Sequence, residues 1–294
     1  MKKLILFLGF CVAFLSVGCD TDKILDQPLQ GRQQLDDFFS SSENAESFVN
    51  SIYQMVNGTN WNQVNFQRQI NEMASDDNWA GNTRQPRPDI TGIAQYNVFP
   101  GSTYFNLFWE NHYIGITRAN IALDRVPEVE IDDETKARLI AEAKFLRAFF
   151  YFDLVRNFGG VPIVTTYNEI LEPTINDKVR SSVAEVYEFI ELDLNEAMNS
   201  LPLRSQQNSE QAGRATKGAV QSLLAKVYLF EEKWAEAQAM AKTVMDSGEY
   251  SLEADFADIY KVGNLNSVET IFEIQYINNP TFNGVGGQFS ITNG

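Results

Sequence analysis

The sequence predicts an all-α protein: tetratricopeptide-like helical hairpins stacked in an α-α superhelix, with long loops and a short β segment near the C-terminus. Three observations predict it. Apolar residues recur at spacings of three and four over much of residues 41–247. Periodic segments come in pairs joined by short turns. One pair, "GAVQSLLAKVYLFEEKWAEAQAMAKTVMDSGEY", places Leu224, Ala225, Tyr228, Ala237 and Ala241 at part of the tetratricopeptide spacing, with Gln221 where that repeat usually has tryptophan. Small residues at such positions let two antiparallel helices approach closely. A hairpin of this kind cannot bury its own apolar face, so neighbours must stack.

The chain opens on an export signal. Lys2 and Lys3 form a positive start, Leu4 to Leu15 a short apolar run, and Ser16-Val17-Gly18 the small residues before a cleavage point. The run falls short of the roughly 20 apolar residues that span a bilayer. Cys19 follows Leu-Ser-Val-Gly directly, and this junction resembles a bacterial lipobox, in which the cysteine is acylated and becomes the new N-terminus. Palmitate-type chains would make the anchor, since each buried CH₂ contributes about 0.8 kcal/mol and more than one chain makes it stable. The expected organisation is a lipoprotein signal peptide over 1–18, a lipidated tether over 19–40, and a helical domain over 41–294.

Bulk properties narrow the function. The only cysteines are Cys11, in the leader, and Cys19, so a disulfide framework or cysteine zinc site has no ligands in the mature chain. The net charge is −16. Lys2 and Lys3 leave with the leader, so 23 basic residues fall to 21 against 39 acidic ones, and the net charge becomes −18. An acidic chain without a basic stripe is a poor partner for nucleic acid.

The elements follow from local pattern. In "SSENAESFVNSIYQMV" residues Ala45, Phe48, Ile52, Met55 and Val56 share a helical face, with Ser42 as cap. Residues 74–101 lose the period and are rich in Asp, Asn, Gly and Pro, which predicts a long functional or unordered loop. A helix returns over 102–127, capped by Ser102 and ended by Pro127. The segment 132–160 is the strongest helix, with acidic residues in its first turn, Leu139, Ala143, Leu146 and Phe150 on its core face, and Gly159-Gly160 as its stop. Ser182 and Glu185 predict a capping box for a helix near 180–200. Ile271, Phe272, Ile274 and Tyr276 alternate and predict the short strand. The sequence then closes on a Gly- and Asn-rich segment with no capping helix, so the helical domain is expected to be incomplete at its C-terminus.

Motifs for bond-breaking chemistry are sparse. His112 is the single histidine and reads as a satisfied or surface residue. There is no G-x-S-x-G elbow, and "GRATKG" at 213–218 continues with Ala219-Val220 where a phosphate loop needs Lys and Ser/Thr. It reads instead as a helix start capped by Thr216. No cofactor and no metal site are expected. Asp76-Asp77 is a suggestive carboxylate pair, although loop carboxylates mostly form turns. A sugar presents apolar C–H faces ringed by hydroxyls, so it suits aromatic platforms among polar side chains. The loop offers Trp79, Tyr96 and Phe99 with Asp76, Asp77, Asn78, Asn82, Arg84 and Gln95. Trp79 is either such a platform or packed back on a neighbouring helix. Trp61, Trp109 and Trp234 sit in helical patterns and read as packing.

Four passages together resemble the SusD/RagB family of bacterial outer-membrane nutrient-binding lipoproteins. They are "CDTDKILDQPLQGR"; "FWENHYIGITRANIALDRVP", similar to the family's W-x₃-Y-x₂-I-x₂-A-N helix; "AEAKFLRAFFYFDLVRNFGGVPIV", similar to its E-A-x-F-L-R-A signature; and "GRATKGAVQSLLAKVYLFEEKWAEA" with "ETIFEIQY". The resemblance implies a surface-exposed, non-catalytic lipoprotein that captures a glycan or other nutrient polymer. It also implies a SusC-like TonB-dependent transporter, over which the protein sits as a lid. Sugar-stacking residues of the family come from the loop that corresponds here to 76–99, whereas Leu146, Arg147, Tyr151, Phe158, Gly159 and Pro162 read as structural. The alternatives are a protein-interaction scaffold of the transporter complex without its own ligand, and a surface glycosidase acting through Asp76 and Asp77.

Overall fold

The computed structural model describes residues 35–57, 70–76, 88–167, 179–209, 211–261 and 263–274. The chain divides into two compact units. Within residues 1–38 the described part is a short helix, α1 (Leu35–Phe38). Residues 39–294 hold α2 (Ser42–Asn57), α3 (Pro88–Ala94), α4 (Thr103–Arg125), α5 (Asp133–Phe158), α6 (Val183–Met198), α7 (Lys217–Phe230) and α8 (Trp234–Asp246), with 3₁₀ turns between and after them. Contacts run from each helix to its neighbours: α2 on α4 and α5, α4 on α5, α5 on α6, α6 on α7, α7 on α8. This is the expected stack of tetratricopeptide-like hairpins.

Helix α5 is its axis. The Asp132 carboxylate accepts the Thr135 N–H at 2.8 Å, and Gly159, at φ 72°, ends the helix in a conformation that glycine adopts without a Cβ penalty. Leu139, Ala143, Leu146 and Phe150 are fully buried, and so are residues on its other faces. A helix buried nearly all round has neighbours on every side. At Gly115 of α4 a Cβ would stand 2.4 Å from the ring of Phe150, which is itself fully buried. The two helices of this hairpin therefore meet at a distance only glycine permits.

The stop after α5 is pinned from two helices, α4 and α5. Tyr151 Oη accepts the Val164 N–H at 2.8 Å and donates to the same residue's carbonyl at 3.2 Å. Asn120 Nδ2 donates to that carbonyl at 3.0 Å, and Tyr113 Oη donates to the Pro162 carbonyl at 2.7 Å. Buried backbone groups need partners, and here signature side chains supply them. The structural reading of Arg147, Tyr151, Gly159 and Pro162 holds.

Several local expectations are corrected. Ser42 lies within α2; Ser41 Oγ accepts the Asn44 N–H at 3.2 Å and takes the capping place. In α2, Val49 is buried while Phe48 and Val56 sit at the edge of the face. Ser102 precedes α4, but its buried hydroxyl makes no cap. Trp234 is 60% exposed instead of packed, and Ala241 is exposed as well. Residues 271–274 form no strand, because alternation marks one buried face but a ladder also requires a partner. Phe272 instead sets its ring 5.2 Å from Phe145, nearly perpendicular, and 6.3 Å from Tyr53. Tyr276 and Trp61 lie outside the described residues.

Two predicted caps form as read. Thr216 Oγ1 accepts the Ala219 N–H, and Ser182 and Glu185 complete a reciprocal capping box. The hydrogen bonds from Ser182 hold the Glu185 carboxyl below its ordinary value of 4.5. A depressed folded-state value contributes stability above the unfolded value and loses it as the pH falls through the folded one. Urea midpoints of wild type and Glu185→Gln, followed from about pH 7 to about pH 3, should accordingly converge on acidification. Gln preserves the box but not the charge. Parallel curves at all pH values would contradict this.

Candidate ligand-binding site

Short helix α3 ends in a reciprocal pair of hydrogen bonds: Tyr96 N–H to the Ile93 carbonyl at 3.1 Å, and Asn97 N–H to the Gly92 carbonyl at 2.8 Å. This is the Schellman arrangement, whose central residue must adopt the left-handed conformation. Glycine usually fills it. Here it is Tyr96, at φ 54°. A tyrosine in that region costs on the order of 1 kcal/mol or more.

Tyr96 is 76% exposed, and its hydroxyl donates to the Ala74 carbonyl at 2.6 Å. The strained backbone therefore does not serve burial. It turns an aromatic surface toward solvent, while the hydroxyl fixes it to the segment that carries Asp76. Val98 and Phe99, next in the chain, are 48% and 46% exposed. Asp76 is exposed two residues beyond Ala74. Of the candidate residues singled out in this loop, Asp76 and Tyr96 fall among the described residues, and the Tyr96 hydroxyl is bonded two residues before Asp76. Asp77, Trp79, Asn82 and Arg84 lie outside the described residues, as does Asn78, and so does the lipidation candidate Cys19.

His112 is buried. Its Nδ1 lies 2.7 Å from the Phe108 carbonyl and its Nε2 3.2 Å from the Asp153 carboxylate, and its ring stacks on Phe108 at 3.9 Å. Both ring nitrogens are occupied by packing partners, as the satisfied-histidine reading expects. Trp109 lies half-buried, perpendicular to Phe158 at 5.1 Å. Among the described residues no group of three or more His, Cys, Asp or Glu side chains converges as metal ligands. No described helix is long and apolar enough to cross a membrane.

The fold and this surface define a tetratricopeptide-like helical protein that presents an exposed aromatic residue beside a polar loop. Residues 23–229 match the family model of SusD-like proteins described as "Starch-binding associating with outer membrane", and the chain belongs to that family. A SusD-like protein of Bacteroides ovatus is 25% identical over 94% of this chain and 50% of its own length. Among solved structures, a SusD-like protein of Bacteroides fragilis matches with a TM-score of 0.73 and 27% identity, over 88% of this chain and 49% of that one. A laminarin-binding SusD-like protein matches with a TM-score of 0.69 and 30% identity, over 79% and 50%. The chain spans about half the length of these relatives, and 32% of a SusD-like protein of Formosa agariphila.

Proposed function

We propose that the chain acts as a non-catalytic lipoprotein of the cell surface, anchored through Cys19, that binds a glycan on the Tyr96 surface and passes it to a SusC-like TonB-dependent transporter of the outer membrane. The observation that carries the reading is the strained, exposed and tethered Tyr96. Backbone strain persists where the surroundings enforce it, and it concentrates at ligand sites. The family's starch-binding description and the laminarin-binding relative support a glucan-type ligand. The net charge of −18 expected once Lys2 and Lys3 leave with the leader disfavours polyanionic polymers and points to a neutral one.

Tyr96→Gly tests this with two readouts that move in opposite directions. Glycine relieves the left-handed residue, so the urea midpoint should rise or stay level. Removal of the ring should weaken binding of starch or laminarin by roughly tenfold, about 1.4 kcal/mol, in affinity electrophoresis or calorimetry. Unchanged affinity in the variant, or no binding of any polymer by wild type, would count against the reading. The anchor has its own check. Cys19→Ser should abolish incorporation of a palmitate analogue and move the chain from the membrane to the soluble fraction.

One observation favours the scaffold alternative: Leu229, Phe230 and Trp234 stand exposed around the α7–α8 turn. Trp234→Ser with lost transporter co-purification, together with polymer uptake that ignores Tyr96→Gly, would select it.

A further inference from the structure

We propose that a second, separate sugar subsite lies between the 204–216 loop and the 266–273 segment, sized for a single neutral sugar ring; it rests on the glycan-binding reading but not on Tyr96. A cavity of about 270 Å³ opens there. That is slightly below the roughly 300–1,000 Å³ of sites for drug-sized ligands, so it suits one ring and not a chain.

The walls are held in place before any ligand arrives. Arg204 donates to the carbonyls of Thr270 (3.1 Å) and Asn266, and its guanidinium lies 5.6 Å from the Tyr250 ring centroid. This ties the 266–270 segment to the first residue of the loop. Arg214 is fixed by Glu142 at 2.8 Å, and Gln207 Nε2 donates to the Arg214 carbonyl at 3.2 Å. Asn208 and Gln211 exchange side-chain and backbone hydrogen bonds at 3.0 and 3.3 Å and close the loop's tip. Phe272, locked against Phe145, contributes the apolar lining.

Chemistry selects the ligand class. A guanidinium has five N–H donors, more than the bonds that Arg204 and Arg214 make within the protein, so the cavity retains donors for hydroxyl oxygens. The Glu273 carboxylate, which accepts the Asn266 N–H at 2.7 Å, and the side-chain amides of Gln207 and Asn208 line the same cavity. The charges balance once their partners are counted: Glu273 lines the cavity with Arg204 and Arg214, Glu142 pairs with Arg214 from behind, and Arg138, which shares Glu142, has Glu46 as its second partner. A cavity with no net charge, many hydrogen-bonding groups and one aromatic side chain matches an uncharged polyol ring and not a phosphate or a carboxylate.

The test uses the ¹⁵N-labelled full chain titrated separately with D-glucose, D-galactose, D-mannose and D-xylose. At least one sugar should produce saturable shifts confined to amides of residues 204–214 and 266–273. Ala212, at the exposed rim, offers a way to close the cavity without disturbing the core. Ala212→Trp should abolish these shifts, and Ser209→Trp, from the same loop, should do so independently; a helical circular dichroism spectrum equal to wild type confirms folding. In Tyr96→Gly the cavity shifts should persist while polymer binding falls. No saturable shift with any of the four sugars, or shifts that survive both tryptophan variants, overturns the proposal. If polymer binding still depends on Tyr96 in that case, the subsite alone falls and the glycan reading stands.

Discussion

Glu142→Ala is expected to destabilise the protein by roughly 3–5 kcal/mol, because it strips one carboxylate from the centre of a buried polar cluster. Glu142 is fully buried on α5. One oxygen accepts from Arg138 at 2.7 Å; the other accepts from Arg214 at 2.8 Å and from Tyr53 Oη at 3.0 Å. Tyr53 in turn accepts the Ala215 N–H at 3.0 Å, so the cluster joins α2, α5 and the start of α7. Burial, reinforced by the Glu142 charge, raises the Tyr53 pKa well above 10, which keeps its hydroxyl a donor. Without Glu142 the Arg214 guanidinium, 14% exposed, loses its ion-pair partner, while Arg138 keeps only Glu46. Glu142→Gln keeps an acceptor and should cost less than alanine. Urea unfolding decides the matter: an alanine variant within about 1 kcal/mol of wild type would show that the cluster does not hold these elements together.

Arg147→Leu is the second large effect, again roughly 3–5 kcal/mol, and its partner supplies the proof. Arg147 binds Asp193 of α6 through two nearly parallel bonds at 2.7 and 2.8 Å, and also donates to Asn120 Oδ1 at 2.7 Å and to the Thr165 carbonyl at 3.2 Å. Asp193 is 1% exposed. Burial pushes its carboxyl above the ordinary carboxylate value, and the bonds from Arg147 oppose that rise. With Arg147 removed, burial is opposed only by the weaker pull of the Lys144 charge, and the carboxyl should rise further. A raised folded-state pKa contributes stability below the unfolded value and loses it as the pH climbs through the folded one, so Arg147→Leu should be least damaging in acid and most damaging near neutrality. The double variant Arg147→Leu/Asp193→Leu removes both charges and should recover much of the loss. A double variant as unstable as the sum of the two single ones would refute the pairing as the cause.

Helix periods, caps and stops were readable in the chain because they depend on residues within one or two turns. Asp132, Ser182, Glu185, Thr216 and Gly159 act on neighbours three or four positions away, and each does what its local pattern implies. Ser42 and Ser102 show where that logic thins. Adjacent serines compete for one capping place, and Ser102 satisfies the cap position while its hydroxyl turns elsewhere. Alternation at 271–274 pointed to a strand, and these residues form none, since alternation records which side chains are apolar and not whether a partner strand lies alongside.

The candidate surface was legible in kind but not in form. A polar loop with aromatic residues pointed to Tyr96. Nothing in the sequence says that it occupies a left-handed position where glycine is customary, since the bonds from Tyr96 and Asn97 back to Ile93 and Gly92 exist only once α3 has formed. The 204–273 cavity left no sequence signal at all, because its walls lie some sixty residues apart and no short motif spans them.

Local spacing along the chain was therefore enough to specify the helices, their ends and the stacking that their apolar faces demand, because covalent neighbours and a 3.6-residue period encode those directly. Which groups meet across helices, that Glu142 answers Arg214 and Tyr53 at once, that Arg147 reaches Asp193, and that Trp234 faces water, was settled only by the packing of distant segments, since a charge or a ring finds its partner in space and not in sequence order.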